Sequence, residues 1–299
     1  MRERLIVGPI LIALVIGLAW LDDVLDRSLA QGWWPTPLAE AGTLPPGLII
    51  VPLLVIIIAL ACGELQSMLA SKGVRVGRFT LVTSALLGLA CWLLPLLPYA
   101  WAGARAISPT LAAASLAFGM ASYLRRKSPE GVLAATGASL IAFVYLGLLP
   151  GFLLGIRVES GVAVLVWTVL VVKSCDIGAL FTGKAIGRHK LIPWLSPGKT
   201  WEGLIGGMAT SAVIAFVGAY GLAAVGSAPA WPWPAFALAG ALAGGLGQLG
   251  DLVKSSFKRD AAIKDSGRII PGMGGVIDVI DSPMFVAPFA YWAFLLTDR

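Results

Sequence analysis

Between Asp251 and Asp281 the chain reads DLVKSSFKRDAAIKDSGRIIPGMGGVIDVID. Asp251, Asp260, Asp265, Asp278 and Asp281 stand there beside Lys254, Lys258, Arg259, Lys264 and Arg268, interrupted by four glycines and one proline. In an otherwise greasy sequence this composition suits a reaction site and not a lipid anchor. Asp278 and Asp281 are three apart, so a helix after the glycines places both carboxylates on one face. Such a pair is a ready site for a hard divalent cation.

A second charged constellation runs from Lys173 to Gly207. Asp176 lies inside an apolar run, where an ionised carboxylate costs roughly 2.5–3.5 kcal/mol on insertion scales. It therefore needs a cation, or a lysine partner such as Lys173 or Lys184 in a packing role. The segment SPGKTWEG follows, from Ser196 to Gly203, with Lys199 and Thr200 expected to open a helix. Glycine lets backbone amides approach an anion, a helix N-terminus favours negative charge, and Lys199 adds a point charge. This is the chemistry of a phosphate-handling turn. It is not a Walker loop, since the required glycine is replaced by Pro193.

Together these stretches resemble the phosphatidate cytidylyltransferases (CDP-diacylglycerol synthases). Ser255, Phe257, Lys258, Arg259, Lys264, Asp265, Gly267, Ile270, Pro271, Gly274, Gly275, Asp278, Ile280 and Asp281 follow that family's signature. Two positions depart from it, Met273 standing for a histidine and Val279 for an arginine. Asp176, Gly178, Ala179, Ser196, Pro197, Gly198, Lys199, Thr200 and Gly203 fit a second family segment, so the likeness covers about residues 173 to 285. It implies transfer of the cytidylyl group of CTP to phosphatidate, giving CDP-diacylglycerol and pyrophosphate for phospholipid synthesis. The catalytic set it implies is Asp176, Lys199, Asp251, Lys258, Arg259, Lys264, Asp265, Asp278 and Asp281. Ser196, Gly198, Lys199, Thr200, Arg268, Gly274 and Gly275 would bind substrate. Both substrates are anionic, so Asp251, Asp278 and Asp281 are read as ligands of Mg²⁺, with two ions expected and room for a monovalent cation. Expected partners are CTP, phosphatidate and the lipid bilayer, with no nucleic acid; the chain could also pair as a homodimer. Two alternatives stay open: a divergent paralogue acting on another lipid phosphate, or a membrane protein that binds or transports lipid without catalysis.

The elements that must position these residues are membrane helices. Of 299 residues, 58% are hydrophobic and only 13% charged, against roughly 25% charged in soluble domains, and the mean hydropathy is +0.87. The fold class expected is all-α, a polytopic integral membrane protein. Nine spans are expected, near 1–20, 47–62, 79–98, 106–124, 131–150, 161–180, 203–225, 235–250 and 282–297. The first lacks a small-x-small cleavage site and is read as an uncleaved span. An acidic loop is expected after it, holding Asp22, Asp23, Asp26 and Glu40 around Trp33 and Trp34. Residues 1–130 are taken as a transmembrane scaffold and 131–299 as the catalytic half.

Basic residues set the orientation. Arg2 and Arg4; Lys72, Arg75 and Arg78; Arg125, Arg126 and Lys127; Lys184, Arg188, Lys190 and Lys199; and Lys254 to Arg268 all fall on one side, together most of the 22 lysines and arginines. That side is expected to be cytoplasmic, with the N-terminus and the charged stretches on it and the plasma (inner) membrane as location. The net charge of +6 is dispersed among apolar spans, which argues against a nucleic-acid partner. Cys62, Cys91 and Cys175 are far apart and show neither disulfide nor zinc spacing. Glu64 is a further candidate, read either as functional or as a solvated helix end. Gly245, Gly247 and Gly250 spell a dinucleotide fingerprint without any βαβ context, and are read as close helix packing. His189, the only histidine, is read as solvated surface.

Overall fold

The computed structural model describes residues 2–30, 47–96, 104–124, 129–267, 269–270, 272 and 274–296. Among them the regular structure is helical apart from one two-stranded hairpin and an isolated bridge between Ile270 and Gly274, so the protein is an all-α polytopic membrane protein as its hydropathy requires. It divides into two compact units, one of Met1–Gly155 with Asp265–Val276, the other of Ile156–Lys264 with Ile277–Arg299.

The first unit holds α1 (Arg2–Ala30), α2 (Ile50–Ser71), α3 (Arg78–Leu93), α4 (Ala104–Leu124), α5 (Val132–Ile141), a π-helical segment (Ala142–Leu148) and the start of α6 (Leu149–Ser160). Helix α1 runs on through Asp22, Asp23 and Asp26, which corrects the acidic loop expected there. The reason is that α2 begins without a side-chain cap of its own. Asp22, fully buried, accepts from the amides of Ile49 at 2.8 Å and Ile50 at 3.2 Å, and Asp26 accepts from Gly47 N at 3.2 Å. Helix-start amides have no intrahelical partner, and in lipid they have no water. Trp33, Trp34 and Glu40 lie outside the described residues.

The second unit contains α7 (Val162–Ile186), β1 (Lys190–Ile192), β2 (Ser196–Thr200), α8 (Trp201–Ala224), α9 (Trp233–Asp260) and α10 (Val276–Leu295), whose first residue still belongs to the first unit. Small residues let its helices approach, as expected where lipid offers no hydrophobic drive between helices. A Cβ on Gly247 would stand 2.9 Å from Val172 Cγ1, and one on Gly250 would stand 2.7 Å from Phe285 Cβ. Of the fingerprint-like glycines of α9, Gly247 and Gly250 are thus close-packing positions, whereas Gly245 has room for a methyl group, its Cβ meeting Met208 Cε at 3.5 Å. Polar seams reinforce the contact: Ser211 Oγ donates to Val171 O at 2.9 Å and Trp167 Nε1 to Ala215 O at 3.2 Å.

The described parts of the expected segments lie largely on helices, but fewer than nine of those helices have the length and apolarity of a span. Among the described residues six helices are long and apolar enough to cross a membrane: Ile50–Ser71, Ala106–Leu124, Val132–Ser160, Val162–Ile186, Trp201–Ala224 and Trp233–Asp260; Arg78–Leu93 is a shorter apolar helix. The segment Ser196–Thr200 is a strand, antiparallel to Lys190–Ile192, and not the first turn of a helix. Thr200, extended at φ −129° and ψ 156°, is the N-cap of α8, accepting from Gly203 N at 3.1 Å.

Candidate active site

On α9, residues 251, 254 and 258 share one face by helical spacing, and they carry an acid and two cations. On α10, Asp278 and Asp281 share a face for the same reason. With Lys173 and Asp176 of α7 and Lys199 of β2 they form one alternating network of four carboxylates and four ammonium groups, all in the second unit.

Lys254 is its hub. Its Nζ lies 2.5 Å from Asp251 Oδ1, 2.6 Å from Asp281 Oδ2 and 3.6 Å from Asp278 Oδ1. Asp251 uses its other oxygen on Lys199 Nζ, at 2.6 Å. Lys258 Nζ holds Asp278 Oδ1 at 2.6 Å. Lys173 bridges Asp176 at 3.6 Å and Asp281 at 3.9 Å, and Gln248 Nε2 donates to Asp176 Oδ1 at 2.8 Å. The side chain of Asp281 is 1% exposed and that of Asp176 39%, so the network runs from a buried floor to an open mouth. A buried charge left unpaired is far costlier than a paired one, which explains why acids and cations alternate throughout.

Two carboxylates that converge on one ammonium fit one hard cation, since Mg²⁺ takes one or two carboxylates and completes its shell with phosphate oxygens and water. Asp251 and Asp281 are the pair that could supply those carboxylates, and in this structure Lys254 Nζ occupies the space between them. Among the described residues no three carboxylate, histidine or cysteine side chains form a set able to hold a metal by themselves, and Asp278 is engaged by Lys258.

Of the residues singled out from sequence, Asp176, Lys199, Asp251, Lys258, Asp278 and Asp281 are brought together. Arg259 turns instead to backbone oxygens, with Nε to Leu195 O at 3.3 Å and Nη1 to Ile263 O at 3.4 Å, tying the hairpin to the end of α9. Lys264 and Asp265 are exposed on the turn after α9. Ser196 and Gly198 lie on β2, and Gly198 has open space where a side chain would stand. Gly274 and Gly275 lie in the first unit, where Gly274 exchanges two backbone hydrogen bonds with Ile270. Arg268 and Met273 lie outside the described residues. Sequence reasoning missed Lys254 and Gln248 as site members. The signal for Lys254 was present, three residues after Asp251 and four before Lys258. His189 is exposed, its Nδ1 2.6 Å from Glu202 Oε1.

The description of the matching family is "Cytidylyltransferase family", and the match covers residues 29–297. Among curated proteins the chain is similar to the phosphatidate cytidylyltransferase of Bacillus subtilis (strain 168), 38% identical over 162 residues, covering 54% of this chain and 58% of that protein. It is also similar to that of Haemophilus influenzae, 40% identical over 139 residues (46% of this chain, 47% of that protein), and to that of Staphylococcus aureus (strain COL), 41% identical over 150 residues (50% and 55%). The chain spans about half the length of the curated relatives it matches. A family match that takes in both charged constellations and nearly every helix, over a network of buried acids and cations, makes this chain a member of the cytidylyltransferase family.

Proposed function

We propose that the protein transfers the cytidylyl group of CTP to phosphatidate. A phosphate oxygen of the lipid attacks the α-phosphorus of CTP, the bond from that phosphorus to the bridging oxygen of the β-phosphate breaks, and pyrophosphate leaves with the electron pair. The observation that carries the reading is the Lys254 hub, with Asp251 and Asp281 converging on one buried cation and Lys199 and Lys258 flanking it. Asp251 and Asp281, with Asp278 beside them, are the residues we assign to Mg²⁺, which when bound supplies Lewis-acid stabilisation of phosphoryl oxygens.

The chain's own cations do the rest. Lys199, Lys254 and Lys258 each sit within ion-pair distance of a carboxylate, and each would turn to a substrate phosphate as a metal ion takes over the carboxylate it leaves, which keeps every charge compensated. A phosphate monoester is already ionised near pH 7, so the attacking group needs little general-base help. That fits a site in which methionine stands at position 273. We place this face in the cytoplasm, where CTP is available, and the protein in the plasma membrane, on the grouping of basic residues.

Purified protein in liposomes containing phosphatidate, given labelled CTP, should form chloroform-soluble product only when Mg²⁺ is present. Asp251→Asn and Asp281→Asn should each lower turnover by about a hundredfold or more, the scale of losing one preorganised electrostatic group. Near-normal turnover in both would sink the assignment. One observation favours a second acceptor: Val279 stands on α10 between the two acids, where the family signature has arginine. Faster turnover with another lipid phosphate than with phosphatidate would establish that reading.

A further inference from the structure

A carboxylate within an apolar helix has to be satisfied by the protein. Glu64 lies on α2 and is 5% exposed. Its partners come from the far end of the chain but from the same compact unit. Ser266 Oγ donates to Oε2 at 2.7 Å, and the Val276 amide donates to Oε1 at 2.6 Å. Two glycines close around the same group. A Cβ on Gly267 would stand 2.7 Å from Oε1, and one on Gly275 would overlap both Oε2 and Ser266 Oγ. Ser266, Gly267, Gly275 and Val276 are therefore gathered about the Glu64 carboxylate.

Val276 is the first residue of α10. Its amide is one of the donors a helix start leaves unpaired, and a negative charge there is favourable. Glu64 thus caps α10 from another helix, and Asp278 and Asp281 follow within the next two turns. We infer that Glu64 is a positioning residue for the transfer reaction. Its carboxylate fixes where α10 begins and so the phase at which the two aspartates are presented. Gly267 and Gly275 are glycines because the carboxylate fills the space a side chain would need. The inference rests on the transfer reading above for its kinetic consequence, though not for its structural one.

The tests follow from shape. Glu64→Ala removes the cap and should lower kcat by roughly ten- to hundredfold, the scale of losing a charge-assisted hydrogen bond. The KM values for CTP and lipid should stay within about threefold, because the phosphate-facing lysines are untouched. Glu64→Gln keeps the shape and both contacts, its carbonyl accepting from Val276 N–H and its amide donating to Ser266 Oγ, so kcat should return to within about fivefold of the parent. A glutamine variant as inactive as the alanine one would overturn the inference, since it would make Glu64 a charge needed by the chemistry. Gly267→Ala, whose Cβ would have Glu64 atoms as its nearest neighbours, should cost activity in the parent and little more in the Glu64→Ala background; full additivity would also overturn it. Hydrogen exchange needs no activity: peptides covering 265–276 should lose protection in Glu64→Ala, and unchanged protection would refute the cap. An inactive parent protein would sink the transfer reading alone, leaving exchange to decide the cap.

Discussion

Lys254 joins more of the network than any other side chain in it. Removing one member of a buried ion pair typically costs about 3–5 kcal/mol, because the partner is left charged in low dielectric. Lys254→Met should therefore lower stability by that order, read as the unfolding midpoint in detergent, and the pair Lys254→Met with Asp281→Asn should recover part of the loss. A single variant no less stable than the parent would mean that the pairs with Asp251 and Asp281 are not held in the membrane-embedded protein. The shared face of Asp278 and Asp281 was legible from spacing, Asp176 from its place in an apolar run, and Asp251 only through the family resemblance. Lys254 was not legible, because in a stretch with Lys258, Arg259 and Lys264 every lysine looks like a headgroup contact. Only the packing of α7 and α10 on α9 tells which lysine is buried.

Helix contacts in the second unit depend on which glycine faces a neighbour. A Cβ on Gly250 would meet Phe285 Cβ at 2.7 Å, whereas one on Gly245 meets Met208 Cε at an ordinary 3.5 Å. Alanine is better than glycine in a helix by about 1 kcal/mol, and overpacking costs roughly 1–3 kcal/mol. Gly245→Ala should thus be neutral or stabilising and Gly250→Ala destabilising, in paired unfolding measurements; equal shifts would show that α9 packs through another face. Nearly every helix could be read from runs of apolar residues, but two features could not. The strand Ser196–Thr200 has a proline and a glycine among five residues, which reads as a turn, and its extended form comes from pairing with Lys190–Ile192. Helix α1 outlasts its apolar run because Asp22 and Asp26 are consumed in capping α2, a role that no local pattern announces.

At the scale of the whole molecule, length decides where chemistry can sit. Helix α9 has 28 residues, about 42 Å at 1.5 Å per residue, against a hydrocarbon core of about 30 Å. It can cross the core and still carry its last turns, with Asp251, Lys254 and Lys258, to headgroup level, where a lipid phosphate and a soluble nucleotide can both arrive. If α9 crosses, its two flanking loops lie on opposite sides, and the orientation proposed above has the Lys264 side in the cytoplasm. Ala230 and Lys264 are both exposed, while the native Cys62, Cys91 and Cys175 are buried, so background thiol labelling should be low. A membrane-impermeant maleimide added outside spheroplasts should label Ala230→Cys and spare Lys264→Cys until the membrane is opened. Labelling of both from one side would mean that α9 does not span. The reverse order would put the lysine and aspartate network on the face away from cytoplasmic CTP, and the transfer reaction would then need a different nucleotide source.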